Sequence, residues 1–136
     1  IAEVNSTKQL QVSTQPDATW VLNHTPTTAT QATVTKAAGG GTVKHVATSL
    51  AFFVAVDGTH AQTIIFVNLR DGATGAGTII WSLTVLMTAT EASKYFGLSG
   101  LKIVGSANTA MTFEFSAAGV TGSLQAVSLT GYDLAS

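Results

Sequence analysis

The chain has no cysteine. Disulfide scaffolds, thiolate metal sites and cysteine nucleophiles are therefore excluded. The compartment is not fixed by this, since many extracellular proteins also lack disulfides. Charge is scarce as well. Only 10% of the 136 residues are Asp, Glu, Lys or Arg, against about 25% in an ordinary soluble domain. The six basic residues are scattered, so they form no stripe that could follow a phosphate backbone, and no nucleic-acid partner is expected. Long apolar runs are missing too. The longest, Leu50 to Val56, is far shorter than the ~20 residues of a spanning helix. No basic amphipathic helix marks a membrane surface, so no membrane partner is expected. The chain begins at Ile1 rather than Met and shows no signal peptide, which fits either a processed start or missing first residues.

What is present points to strands. A chain of this length suits one domain and buries about two-thirds of its unfolded surface, enough for a core without disulfide or metal. Thr and Ser together make up roughly a quarter of the sequence, far above ordinary usage. Thr is β-branched and suits a pleated surface. A surface of Thr, Ser, Ala and Gly costs little to desolvate, and depletion of charge marks the cores of interfaces. Beside the plain reading of a soluble β protein stands the expectation that neighbours cover part of the outer surface.

Residues 1–28 are polar and contain both prolines, Pro16 and Pro26. They are expected to form an extended N-terminal arm with one or two short edge strands, since Pro is excluded from central ladders. Trp20 and Leu22 are its apolar anchors. Residues 29–136 carry the repeating strand signals of a β-sandwich. Alternation runs from Ala29 to Lys36 and stops at Gly39-Gly40-Gly41, a turn or hinge. It resumes at Val43 to Asp57 with Val46, Leu50, Phe52, Val54 and Val56 on one face. Gln62 to Arg70 is apolar on both faces, with Ile64 and Phe66 on one and Ile65, Val67 and Leu69 on the other. That pattern predicts a strand covered on both sides. A glycine-rich turn, residues 71–77, then leads into Thr78 to Met87, which places Ile79, Trp81, Leu83, Val85 and Met87 on one face. These two strands form the strongest hairpin signal in the chain. Thr90 to Gly97 is the one predicted helical turn, with Thr90 as cap, Glu91 in the first turn and Gly97 at the end. Leu98 to Val104, Met111 to Phe115 and Gln125 to Leu129 read as further strands. The expected fold is an all-β antiparallel sandwich of about eight strands, of jelly-roll or Greek-key type. Phe52, Val54, Phe66, Trp81, Leu83, Phe113 and Phe115 are its expected buried residues.

Chemistry is hard to find. His24, His45 and His60 show no HxH or HExxH spacing, so no preformed metal site is expected. No GxSxG elbow is present. The carboxylates Asp57, Asp71, Glu114 and Asp133 are isolated in sequence, whereas a glycosidase pair needs two of them roughly 5–10 Å apart. Asp71-Gly72 supplies turn geometry more simply than it supplies a calcium ligand. The loop also lacks the GK[ST] ending of a phosphate-binding turn. No enzyme activity and no cofactor are expected. Arg70 is the only arginine. It is expected to form a structural ion pair with Asp71, Glu114 or Asp133. Ile65 and Val67, together with Trp20 and Leu22, are the candidate partner contacts.

Three segments carry a resemblance: Asn68-Leu69-Arg70-Asp71-Gly72-Ala73-Thr74-Gly75-Ala76-Gly77-Thr78, Gly105-Ser106-Ala107-Asn108-Thr109-Ala110-Met111-Thr112, and Ser128-Leu129-Thr130-Gly131-Tyr132-Asp133. Over about residues 43–133 the chain resembles small virion proteins of tailed bacteriophages, of the capsid cement or decoration type. The resemblance implies a β-sandwich structural protein, often a homotrimer, bound to the major capsid protein over joints on the outer capsid surface after synthesis in the host cytoplasm. It carries no active-site residues. The alternative is a carbohydrate- or receptor-binding β-sandwich module, for which Trp20, Trp81, Tyr95 and Tyr132 are the available aromatics.

Overall fold

The computed structural model describes residues 19–135 and two short strands before them. Those two, β1 (Ala2–Val4) and β2 (Leu10–Val12), pair antiparallel with each other. Residues 1, 5–9 and 13–18 of the expected arm lie outside the described residues. Nine strands follow: β3 (Trp20–His24), β4 (Thr33–Lys36), β5 (Lys44–Val56), β6 (Thr63–Asp71), β7 (Thr78–Met87), β8 (Ser93–Leu98), β9 (Ile103–Val104), β10 (Met111–Phe115) and β11 (Ser123–Leu134). There is no helix among the described residues.

The nine strands build two antiparallel sheets. One has the order β3-β11-β5-β8, with the short β9 also pairing β5; the other has the order β4-β10-β6-β7. The pairs β3·β11, β4·β10, β5·β8 and β6·β7 are nested, each inside the one before. This is a long antiparallel ribbon rolled up on itself, the connectivity of a jelly roll. The glycine-rich segment between β6 and β7 is the tip of that ribbon.

The core lies between the sheets. Leu50, Phe52 and Val54 of β5 and Val127 and Leu129 of β11 meet Val67 and Leu69 of β6 and Met111, Phe113 and Phe115 of β10. Phe52 sits edge-on to Phe115 with ring centroids 5.6 Å apart, a favoured aromatic geometry. A bulge in β5 pairs Ser49 with Thr130 but Ala47 with Gly131, leaving Thr48 as the extra residue. The side-chain phase changes there, so Ala47 and Leu50 both belong to the core. Gly131 is required at this point: a Cβ would overlap both Val46 O and the indole of Trp20.

Several expectations need correction. Thr90 to Gly97 is not helical; Ser93 to Leu98 is β8, paired along β5. Its alternation of Lys94, Phe96 and Leu98 (partly covered) with Ser93, Tyr95 and Gly97 (exposed) prevails over the capping signals. Those signals instead close a tight turn, in which the Glu91 carboxylate accepts the Thr88 N–H at 2.7 Å. Of Leu98 to Val104, only Leu98, the last residue of β8, and Ile103–Val104 are strand. Of the seven expected core residues, Phe52, Val54, Phe113 and Phe115 are buried. Trp81 and Leu83 are only partly covered, and Phe66 is exposed. The expected arm does contain an edge strand. Trp20–His24 is the edge strand of a sheet, paired over five residues with β11, and Trp20 is buried.

A chain that begins at residue 19 is therefore expected to unfold in urea at the same midpoint as the full chain. A chain that begins at residue 25 loses β3 and is expected not to fold cooperatively. Trp20→Ala alone should cost about 3–5 kcal/mol.

Candidate functional site

Arg70, Asp71, Glu114 and Asp133 do not converge; they form three separate arrangements. The first is an ion pair on the outer face of the β4-β10-β6-β7 sheet. Arg70 donates from Nε to Glu114 Oε1 at 2.7 Å, and the Glu114 side chain is 1% exposed. An outward-facing carboxylate is buried because residues 72–77 fold back over their own sheet. Gly75 N–H donates to the same Glu114 oxygen at 3.0 Å, and Arg70 donates to Gly77 O at 2.9 Å. Thr112, also outward-facing on β10, donates to Gly72 O at 2.8 Å. The loop neck is closed by direct backbone approach: a Cβ on Gly72 would sit 2.6 Å from the Gly77 Cα. Gly72 also has φ 132° and Gly75 φ 70°, values that favour glycine. This explains why all five residues of β10 are buried although their sequence reads as half-exposed.

The second arrangement lies at one end of the sandwich, where β3, β11 and β5 run side by side. Asp133 Oδ1 lies 2.6 Å from His45 Nδ1 and accepts the Trp20 indole N–H at 2.9 Å. His45 Nε2 lies 2.7 Å from Ala37 O. Trp20 meets the His45 ring edge-on at 5.9 Å, and Lys36 Nζ stands 5.8 Å above the indole. Burial acts to raise the Asp133 carboxyl, but hydrogen bonds from His45 and Trp20 outweigh it and hold the group below its usual range. His45 is 1% exposed and both ring nitrogens are engaged. This His–Asp pair therefore presents no free nitrogen to a substrate.

In the third, Asp71 accepts the Ser106 N–H at 2.9 Å and the Ser106 hydroxyl at 2.5 Å, fastening the loop before β10. The other histidines are likewise engaged with the backbone. His24 Nδ1 accepts the Thr33 N–H at 3.1 Å. His60 bridges Ala61 O and Glu91 O, and these contacts raise its pKa above the ordinary value. Among the described residues no group of three or more His, Asp or Glu is placed to hold a metal ion.

Of the four candidate contact residues, Val67 and Trp20 are buried, and Leu22 and Ile65 pack against the core. β6 turns outward the face opposite to the one expected. Its bare side chains are Ile64, 61% exposed, and Phe66, 49% exposed. Ile64 stands opposite Leu86 (45% exposed) and Phe66 opposite Thr84. Ile79, 49% exposed, stands opposite Arg70 beyond a bulge. The outer face of this sheet thus has two halves. One is roofed by the glycine-rich loop, and the other is apolar and bare. With both faces of β6 apolar, periodicity alone could not assign which side faces the core.

No protein-family model matches the chain, and no match is found among curated proteins.

Two measurements probe these arrangements. Arg70→Ala strands a buried carboxylate and should cost about 3–5 kcal/mol in urea unfolding, with faster amide exchange in residues 72–77; replacing Arg70 and Glu114 together by Met should cost much less. The depressed Asp133 pKa stabilises the fold above the unfolded value of 3.8, and that contribution is lost as pH falls through the folded pKa. Asp133→Asn should therefore be less stable at neutral pH and show a shallower loss of stability in acid than the parent chain.

Proposed function

We propose that the chain is a structural binding protein that engages its partners through the bare outer face of β6 and β7. The observation that carries this reading is the patch of Ile64, Phe66 and Leu86 on a sheet whose other face already packs the core. Covering such side chains contributes about 1.5–3 kcal/mol each when complete, and contiguous exposed apolar patches mark interaction sites. The low charge of the whole chain, 10%, keeps the desolvation cost of large contacts small.

The partner class follows from the resemblance to capsid cement and decoration proteins of tailed bacteriophages. In this reading the chain is a homo-oligomer, a trimer by that resemblance, that binds the major capsid protein on the outside of the virion. Jelly rolls serve both viral capsids and lectins, so the fold alone does not choose between a virion role and sugar binding. One observation favours the second reading. Tyr95 is 75% exposed and lies over Gly97, beside Ser49, Ser99 and Ser128 in a shallow groove of about 290 Å³. An aromatic face with hydroxyls alongside is the chemistry of a sugar platform.

Ile64→Lys combined with Phe66→Lys changes exposed positions and should leave the urea midpoint within about 0.5 kcal/mol of the parent. The double variant should run as a monomer in light scattering at micromolar concentration, where the parent is oligomeric, and should fail to bind purified phage capsids. A monomeric parent that binds glycans, and loses them on Tyr95→Ser, would replace the first reading with the second.

A further inference from the structure

Open sheets end in unpaired edges, which native proteins blunt with short strands, charges, prolines or bulges. The two sheets of the sandwich end in β3 and β8 and in β4 and β7. Three of these edges are guarded. β3 has five residues, and β4 has four with Lys36 at its end. β8 has six and carries Lys94. β7 differs: its ten residues, Thr78–Met87, include no charge, no proline and no glycine. Beyond the bulge near its start it runs in unbroken register with β6 from Trp81 to Met87. β6 is its one partner, and among the described residues no backbone hydrogen bond reaches its other side. In an antiparallel ladder alternate residues direct N–H and C=O to the same side, so every second residue of β7 presents both groups unpaired.

The flank formed by β7 and β8 is also less well covered than the opposite one. Val67 and Leu69 of β6 are buried, whereas Trp81, Leu83 and Val85, on the same face of the same sheet, are only partly covered. Facing them, Phe96 and Leu98 of β8 are partly covered as well, with the Trp81 and Phe96 rings stacked 6.3 Å apart. On the β3 and β4 flank, Trp20 and Val34 are buried. A strand laid along β7 would take up its free backbone groups. It would also shield Trp81, Leu83 and Val85 on one face and Leu86 on the other.

We propose that β7 pairs edge to edge with a strand of a second copy of this chain, so that the β4-β10-β6-β7 sheet continues across the subunit boundary. The inference rests on the reading of the chain as a homo-oligomer and names the strand through which copies join. The occupant is an extended strand, because another backbone offers N–H and C=O groups at the spacing of a ladder. A second copy supplies one. Its edges are its free strands, and every copy carries the same unguarded β7, so edge meets edge whenever copies collide. Pairing of β7 with a different edge of its neighbour is heterologous and can close a ring, as the trimer of that reading requires. Leu86 belongs both to this edge strand and to the bare outer face, so the junction is continuous with the Ile64 and Phe66 patch.

The test uses the full chain, as a mixture of isotope-labelled and unlabelled copies, at a concentration where light scattering shows an oligomer. Isotope-filtered NMR spectra should show contacts from backbone protons of residues 81–87 to backbone protons of the other copy. Alternate amides of β7 should exchange with deuterated water more slowly than in a dilute, dissociated sample. Leu83→Lys, which sets a guarding charge on the core side of this edge, away from the outer patch, should shift the chain towards monomer. An oligomer with no intermolecular backbone contact from β7, and with β7 amides exchanging as in the monomer, would overturn the inference and leave the contact-surface reading standing. A chain that stays monomeric at every concentration would remove the homo-oligomer and this inference with it. β7 found against β7 of the second copy in a dimer would uphold the inference and remove the trimer.

Discussion

A sheet has two faces, and a two-layer sandwich covers only one of them. Everything distinctive about this chain follows from how it handles the second face of the β4-β10-β6-β7 sheet. Over β10 the chain supplies its own cover. The glycine-rich segment at the ribbon tip folds back, and the Arg70–Glu114 pair holds it there at 2.7 Å. Removing that cover would expose a carboxylate placed to be buried. Over the start of β6 and the end of β7 no segment of the described residues plays the same part. Ile64, Phe66 and Leu86 stand bare there.

Much of the fold was legible because β structure writes itself into sequence with a period of two. Leu50, Phe52 and Val54, like Met111, Phe113 and Phe115, alternate as their burial requires, and the turns fall where glycines cluster. Three things were not legible, each for a physical reason. β6 is apolar on both faces, so only its packing against β5, β10 and β11 decides that Val67 and Leu69 point inward. β8 carries local capping signals, but its fate is set by a ladder to β5, more than forty residues away for most of its pairs. β3 is short and flanked by prolines, and its place in the sheet depends on Trp20 finding Asp133 at the far end of the chain.

The polar clusters show the same limit. Arg70 announces a need for a partner because it is the only arginine and sits in an apolar strand. Glu114, in a Met-Thr-Phe-Glu-Phe run, looks like a solvated residue. Only a loop arriving from another part of the chain makes it a buried anion. Asp133 and His45 are 88 positions apart, and no spacing rule links them. Both clusters have their acceptors and donors matched to neighbouring groups, which gives them the character of fastenings.

The claim that the bare half of this sheet is a contact surface can be tested at the side chains themselves. A soluble paramagnetic probe should broaden the Ile64 and Leu86 methyl signals strongly in a dilute, dissociated sample. Raising the concentration, or adding purified capsids, should protect those methyls while leaving the Val21 methyls, exposed on β3, as accessible as before. Equal accessibility of Ile64 and Val21 under all conditions would contradict the claim.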